Sequence, residues 1–239
     1  MSVQPSNSTP SQPTATPDPS APYPTVWIIL LGLIIAVGPL SIDMYLPALP
    51  TMAQDFGVVT RWIANSVPAY FIGLVVGQLF YGPLSDRIGR IRPLYVGTVV
   101  YVVACVICAT TTSVAVLFAG RTLQALGACV GSVVVRAMIR DCLNPTQMAK
   151  AFSLMTLVMG IAPILAPSLG SLLLQISSWR AIFWFLAGFG VLSLMLIKVF
   201  LQETLPPDRR HVLPLRQVLR QYVDLLKDTR FRNPAVGAG

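Results

Sequence analysis

Six long apolar runs follow one another along this chain, and they constrain its fold more than any other feature. A helix needs about 20 predominantly apolar residues to cross the hydrocarbon core of a bilayer. Each run meets or approaches this length, and the polar stretches between the runs are short. The pattern predicts an all-α integral membrane protein with six transmembrane helices, at residues 26–49, 63–84, 93–109, 114–139, 151–176 and 179–201.

The composition supports a membrane protein and argues against several other classes. Charged residues make up only 11% of the chain, whereas soluble domains average about 25%. The net charge of +8 would suggest nucleic-acid binding in a soluble domain, but here the charges lie between apolar runs, so we expect no nucleic-acid partner. The chain has one histidine, and we interpret Cys105 and Cys108 as small apolar helix residues. We therefore expect no metal site and no enzymatic activity.

The sequence divides into three regions. In residues 1–25, 16 positions are Pro, Ser or Thr and none is Lys or Arg, a composition that predicts a disordered tail rather than a signal peptide. Residues 26–201 hold the six-helix bundle. Residues 202–239 are polar and basic, with apolar residues at helical spacing over 215–226. This last pattern favours an amphipathic helix on the membrane surface, and a specific lipid or partner site is the alternative.

The distribution of positive charge predicts the orientation. The 2–3 loop, the 4–5 turn and the C-terminal region together carry 14 Lys and Arg residues. The opposite side has only Arg61 and Arg180. Since loops rich in Lys and Arg stay in the cytoplasm, an even number of spans places both termini there.

Two ionisable residues lie inside apolar runs, where they are costly and usually functional. Asp43 lies in the first run and Arg121 in the fourth, each about 10 Å below the outer surface at 1.5 Å of rise per residue. Equal depth suggests that they pair. An aspartate beside a removable arginine contact can bind and release a proton, and the alternative is a static ion pair that holds two helices together.

Small residues and prolines mark places where helices pack or bend. Gly73 with Gly77, and Gly127 with Gly131, are GxxxG patterns that let membrane helices approach closely. The fifth run carries a ridge of small residues at helical spacing. Its members are Ala162, Ala166 and Gly170. Prolines inside the runs predict kinks; these are Pro39, Pro47, Pro68, Pro163 and Pro167.

The loop between the second and third runs has the sequence GPLSDRIGR, starting at Gly82. It combines a tight turn, one carboxylate and several guanidinium groups. Asp86 and the nearby arginines are suited to hold two helix ends together on the cytoplasmic side, as a latch that opens and closes.

Several motifs together resemble those of a known transporter family. GPLSDRIGR resembles the loop 2–3 signature of the major facilitator superfamily, RTLQALG from Arg121 its fourth-helix motif, and APILAPSLG from Ala162 its fifth-helix antiporter motif. Three further segments resemble the Bcr/CflA drug-resistance branch: SIDMYLPALP from Ser41, RAMIRD from Arg136 and WRAIFW from Trp179. The resemblance covers about residues 26–205. Departures from the usual motifs are Ala125, Ala166 and Ile91.

The resemblance implies a proton-driven exporter of small, drug-like molecules in the bacterial inner membrane, with no cofactor besides the proton gradient. Asp43, Arg121 and Gln124 match positions tied to proton coupling and substrate. Positions that match the cytoplasmic gate are Gly82, Asp86, Arg87, Gly89, Arg90, Arg136, Arg140 and Asp141. Positions that match the antiporter-motif bend are Pro163, Pro167 and Gly170.

Length sets this chain apart from the family that it resembles. Members have about twelve spans in two six-helix halves, with the substrate path between the halves. We therefore expect one half of a major-facilitator-type bundle, the N-terminal one, which needs the missing C-terminal half or a second copy to form a cavity. Three alternatives remain: an inactive truncated half-transporter, a partner of a full-length relative, and a proton-linked metabolite symporter.

Overall fold

The computed structural model describes residues 25–210, and all regular structure in that range is helical. The α-helices are α1 Thr25–Asp43, α2 Leu49–Asp55, α3 Thr60–Ala64, α4 Ser66–Ile88, α5 Ile91–Thr110, α6 Val114–Cys142, α7 Pro145–Ile176 and α8 Arg180–Phe200. Short 3-10 turns lie at Leu46–Ala48 and Pro207–Arg209. Of the tail predicted over residues 1–25, all but Thr25 lies outside the described residues, as does the amphipathic helix predicted over 215–226.

Within residues 25–210, six helical segments are long and apolar enough to cross a membrane, which confirms the predicted fold class. We call them spans 1–6: Trp27–Asp55, Thr60–Ile88, Ile91–Thr110, Val114–Cys142, Pro145–Ile176 and Arg180–Phe200. Span 1 combines α1, a 3-10 turn and α2, and span 2 combines α3 and α4.

Span 5 begins earlier than the apolar run predicted, at Pro145 instead of residue 151. Asn144 forms a capping box: its side chain accepts a hydrogen bond from the backbone of Gln147 at 2.9 Å, and the Gln147 side chain accepts one from the backbone of Asn144 at 3.2 Å. Proline at the first helical position lacks only a donor that would be unpaired anyway. The helix therefore starts in polar sequence that hydropathy alone excludes.

Span 1 is interrupted rather than continuous, in agreement with the kink predicted at Pro47. The helix ends at Asp43, and the last hydrogen bond of its ladder joins the Met44 backbone NH to the Leu40 carbonyl at 3.2 Å. Pro47 has no NH to give to the carbonyl of Asp43, four residues earlier. The chain then turns through Leu46–Ala48 before α2 begins at Leu49. The break therefore lies at the predicted ionisable residue.

Span 4 is the central helix of the bundle. In its most apolar window 67% of the residues are buried, against 28% in span 2 and 17% in span 5. Span 4 packs mainly against spans 2 and 3, while span 6 packs on span 3 and span 5 on span 1. Spans 2 and 5 therefore present most of their apolar surface to the outside of this bundle.

The small residues that the sequence singled out lie where helices approach most closely. A Cβ added at Gly131 would lie 2.9 Å from the carbonyl oxygen of Ile34, and one added at Gly77 would lie 2.9 Å from the Cβ of Cys129. A Cβ at Gly170 would collide with the carbonyl of Met44, just past the break in span 1. Both GxxxG patterns and the ridge of span 5 are thus confirmed as packing surfaces.

Gly127→Ala is expected to destabilise the bundle by about 1–3 kcal/mol, the usual cost of overpacking a close contact. The added methyl group would lie 2.5 Å from the backbone nitrogen of Tyr101, which cannot move away as a side chain can. Gly160→Ala is the matched control, because nothing lies within 4 Å of its added Cβ. Thermal melting of the detergent-solubilised protein measures both, and equal melting temperatures would contradict this account of the packing.

Candidate functional site

A buried arginine lies at the centre of the bundle. Arg121, in the first half of span 4, is 0% exposed to solvent and is among the largest fully buried side chains of residues 25–210. Its Nη1 donates to the carbonyl of Ser41 at 2.9 Å and to the Oε1 of Gln124 at 2.6 Å. The carbonyl of Ser41 lacks its usual helical donor because α1 ends two residues later. Arg121 therefore replaces a hydrogen bond lost at the break in span 1.

Two tyrosine rings enclose the guanidinium group of Arg121. Its Cζ lies 4.3 Å from the ring centroid of Tyr45 and 4.4 Å from that of Tyr70, within the range of a cation–π interaction. Tyr45 comes from span 1 immediately after the break, and Tyr70 comes from span 2. Both tyrosines are fully buried. The positive charge therefore faces aromatic rings from two different spans.

Further hydrogen bonds tie the surroundings of Arg121 to the neighbouring spans. Gln124 Nε2 donates to the Sγ of Cys105 in span 3 at 3.0 Å. The hydroxyl groups of Ser41 and Tyr101 lie 2.8 Å apart, and Ser41 also donates to the carbonyl of Val37 at 2.7 Å. Because a serine hydroxyl has one hydrogen, Tyr101 is the donor in the first of these bonds. Polar contacts thus join spans 1, 3 and 4 around Arg121.

The Asp43–Arg121 pair that equal depth suggested is absent from the structure. Within residues 25–210, the carboxylate of Asp43 forms no hydrogen bond or ion pair. Asp43 is the last residue of α1 and is partly exposed. Arg121 instead contacts the backbone two residues earlier, because the break frees that carbonyl. Arg121 therefore binds the backbone of span 1 near Asp43 in sequence, but it does not bind the Asp43 carboxylate.

A second polar cluster lies at the opposite end of the bundle, around Arg90. The side chain of Arg90 is 7% exposed and forms ion pairs with Asp86 and, at 2.8 Å, with Asp141 at the end of span 4. Its Nη1 also donates to the hydroxyl of Ser85 at 2.9 Å. Burial lowers the pKa of Arg90, but the hydrogen bonds to Asp141 and Asp86 outweigh burial and raise that pKa above its ordinary value. The guanidinium group therefore stays charged.

Glu203 completes this cluster, and the sequence analysis missed it. It follows span 6, and its carboxylate accepts hydrogen bonds from the backbone NH groups of Arg90 at 2.8 Å and Ile91 at 3.3 Å. These groups are the unpaired donors at the start of span 3, where a negative charge is favourable. Gly89 has a φ of 95°, and a Cβ there would meet the Glu203 carboxylate. The only sequence signal was an acidic residue within a basic segment.

The other predicted gate residues lie apart from the Arg90 cluster. Arg87, Arg136 and Arg140 are exposed, and none forms a hydrogen bond or ion pair within the described residues. Gly82 has nothing within 4 Å of the position that a Cβ would take. In span 5, Pro163 is exposed, Pro167 is partly exposed and Gly170 is buried against span 1. The structure thus brings together three of the eight gate side chains, with Gly89 beside them.

The end of the bundle opposite the Arg90 cluster carries an ion pair of its own. The Nη1 of Arg180 lies 2.6 Å from the Oδ2 of Asp55, which also accepts a hydrogen bond from the indole of Trp179 at 3.0 Å. The Nη2 of Arg180 donates to the carbonyl of Thr111 at 3.3 Å. These contacts fasten α2, the part of span 1 beyond the break, to the ends of spans 3 and 6.

Comparisons with known proteins identify the relatives of this chain. It is 36% identical over 212 residues to the MFS-type transporter YdgK of Bacillus subtilis (strain 168), covering 88% of this chain and 53% of that protein. It is 34% identical over 204 residues to Multidrug resistance protein D of Escherichia coli (strain K12), covering 85% and 51%. Multidrug resistance protein MdtL of Escherichia coli is 36% identical over 180 residues. The chain spans about half the length of these curated relatives.

Solved structures share the fold. The bacterial homologue of the lysosomal transporter Spinster, in an inward-facing and occupied conformation, aligns with a TM-score of 0.67 at 17% identity, over 77% of this chain and 46% of that one. The human organic anion transporter MFSD10 aligns with a TM-score of 0.61 at 19% identity, over 81% and 51%. The family model of the Major Facilitator Superfamily matches residues 31–236. The chain therefore belongs to the major facilitator superfamily, a family of membrane transporters.

Proposed function

We propose that this chain is the N-terminal half of a proton-coupled exporter of small, drug-like molecules, of the Bcr/CflA type, in a bacterial inner membrane with both termini in the cytoplasm. The names of two relatives, both multidrug resistance proteins, support drug efflux. The motifs from Ser41, Arg136 and Trp179 support the branch. The exposed faces of spans 2 and 5 support a second six-helix half, supplied by further sequence or by a second copy, that encloses the substrate path.

One observation carries the proton-coupling part of this proposal. The charge of Arg121 is fully buried and is stabilised without a carboxylate, while Asp43 stands unpaired at the break in span 1. A carboxylate that is not neutralised by a permanent ion pair is free to bind and release a proton. Discontinuous transmembrane helices are also where transporters place their substrate and ion sites.

In the proposed cycle, Asp43 is protonated when the site faces outward and substrate leaves. When the site faces inward, Asp43 loses its proton, and drug binding is favoured. Re-entry of the proton supplies the work, about 2.3 kcal/mol per charge for each 100 mV of membrane potential, plus the pH difference. The Arg90 cluster closes the cytoplasmic end, because it joins the ends of spans 2 and 4, the start of span 3 and the segment after span 6.

Drug-driven proton movement in liposomes tests the proposal. Protein that contains this chain together with its second six-helix half is reconstituted with an enclosed pH dye and given a gradient of ethidium or of chloramphenicol, one cationic and one uncharged probe. An exporter that exchanges drug for protons moves the two in opposite directions, whereas a symporter moves them in the same direction. An inactive half-transporter or an interaction partner moves neither.

Asp43→Asn is expected to abolish proton movement driven by either probe, because the amide keeps the size of the side chain but cannot bind a proton reversibly. Asp55→Asn is the matched control, since Asp55 is also in span 1 but pairs with Arg180 at its outer end. Proton exchange at the wild-type rate in the Asp43 variant would rule out its assigned role.

A further inference from the structure

We infer that Tyr45 and Tyr70 are positioning residues for proton coupling: their rings hold the Arg121 cation so that it needs no carboxylate, which leaves Asp43 free to titrate. This inference rests on the proposed function. It concerns two side chains without a role predicted from the sequence, although Tyr45 lies within the SIDMYLPALP segment. They come from two spans that meet only in the folded bundle.

The hydrogen bonds of Arg121 are too few to account for a fully buried charge. Only Nη1 has acceptors, whereas Nε and Nη2 are buried and have no hydrogen-bond partner. Buried charges are ordinarily paired with an opposite charge, yet within residues 25–210 no ion pair includes Arg121. The ring faces of Tyr45 and Tyr70, at 4.3 and 4.4 Å, supply the remaining negative potential.

Each ring is itself fixed in place. The hydroxyl of Tyr45 lies 2.7 Å from that of Ser66 in span 2, and Ser66 donates its single hydrogen to the carbonyl of Ile63, so Tyr45 is the donor. The Tyr45 ring also packs edge-on against Phe183 in span 6, at 5.9 Å between centroids. Tyr70 donates to the carbonyl of Gly38, before the break in span 1, at 3.4 Å. We call the rings of Tyr45 and Tyr70 the aromatic cage of Arg121. Because the cage is attached to span 1 on both sides of the break, its shape depends on the geometry of that break.

The cage determines what Arg121 can contact. With both rings in place, the guanidinium group is held against the carbonyl of Ser41 and away from any carboxylate. With one ring removed, the cation loses part of its stabilisation and gains space to turn toward Asp43. A permanent Asp43–Arg121 pair would keep the carboxylate charged and stop its protonation in the working pH range. The titratable groups that interact electrostatically with Arg121 in the described residues are Tyr45 of span 1, Tyr70 of span 2, and Cys105 and Cys108 of span 3.

Paired variants at position 70 test the role of the ring. Tyr70→Phe keeps the aromatic face and loses the hydroxyl, whereas Tyr70→Leu loses the face. Tyr81→Leu is the matched control, since Tyr81 is a buried tyrosine of the same span whose ring does not lie over Arg121. We expect ethidium-driven proton movement, and its dependence on pH, to be retained in Tyr70→Phe and Tyr81→Leu and lost in Tyr70→Leu. The same contrast is expected for Tyr45→Phe against Tyr45→Leu.

A second measurement tests the cage without transport. Ring faces shift the NMR resonances of groups above them upfield, so the guanidinium signals of Arg121, identified by their loss in Arg121→Lys, are expected upfield. They should stay there in Tyr70→Phe and move downfield in Tyr70→Leu. If wild-type protein with both six-helix halves present moves no protons, the proposed function fails, and the NMR shifts alone decide on the cage. Unchanged shifts in Tyr70→Leu, or equal loss of activity in Tyr70→Leu and Tyr81→Leu, would overturn the inference.

Discussion

Arg121→Met is expected to abolish drug-driven proton movement, because it removes the positive charge at the position that the family resemblance ties to proton coupling and substrate. The same change should alter the free energy of unfolding by no more than about 2 kcal/mol, because opposing effects nearly cancel. The wild-type side chain gains hydrogen bonds and two ring contacts, but it also keeps a charge and two unpartnered nitrogens out of water. Methionine fills much of the same volume and removes that desolvation cost. It leaves the carbonyl of Ser41 without its donor, which costs about 1–3 kcal/mol.

Two measurements separate the two parts of this prediction. Denaturant unfolding in mixed micelles gives the stability, and the pH dye in liposomes gives proton movement. The variant should unfold near the wild-type midpoint and transport at the background of protein-free liposomes. A stability loss above about 4 kcal/mol would mean that Arg121 is chiefly a structural pin, the alternative that the sequence left open.

Arg90→Ala, unlike Arg121→Met, is expected to lower the free energy of unfolding strongly, by about 2–4 kcal/mol. The estimate lies somewhat below the usual cost of breaking a buried ion pair, because Asp86 is 49% exposed and Asp141 is 19% exposed, so water replaces part of the lost contact. The backbone NH groups bound by Glu203 remain, but the side chain that links spans 2, 3 and 4 is gone. The end of the bundle that holds the Arg90 cluster should loosen first.

Arg87→Ala provides the control for that prediction. Arg87 lies in the last turn of span 2, close in sequence to Arg90, and has the same charge. Its side chain is exposed, so its removal should change stability by less than about 0.5 kcal/mol. Thermal melting in detergent compares the variants, and hydrogen exchange at the start of span 3 localises the loosening. Equal losses at positions 87 and 90 would show that the cluster acts through net charge rather than through its specific contacts.

Much of the fold followed from local sequence. Six apolar runs predicted six spans, and small residues at intervals of four predicted where helices approach, because both depend on periodicity within one helix. Asp86 and Arg90 are four residues apart, so a local pairing between them was within reach of the sequence. The fine positions of the helix ends were less predictable, as at Asn144, where a polar cap extends the helix beyond its apolar run.

The candidate site could be predicted from the sequence only in part. Asp43 and Arg121 were recognised as costly residues at similar depth, but depth alone does not say which way a side chain turns. The break before Pro47 frees the carbonyl of Ser41, and that carbonyl competes for Arg121. Nothing in the sequence singled out Tyr45 and Tyr70, because only the packing of spans 1 and 2 brings both rings to the same cation. The identity of such neighbours is a property of tertiary packing.

Glu203 shows the same limit over a longer range. It caps the start of span 3 from beyond the end of span 6, more than 100 residues away in sequence. No periodicity joins two such positions. The contact exists only in the folded bundle, where the first turn of span 3 and the segment after span 6 lie side by side.

The central claim is that Asp43 carries the exchanged proton, and the most direct measurement is proton release when drug binds to protein in unbuffered detergent solution. Addition of ethidium or chloramphenicol near neutral pH should release protons from the wild type and none from Asp43→Asn, while Asp55→Asn should match the wild type. Release of the same number of protons from Asp43→Asn would contradict the claim and would assign the proton to another group.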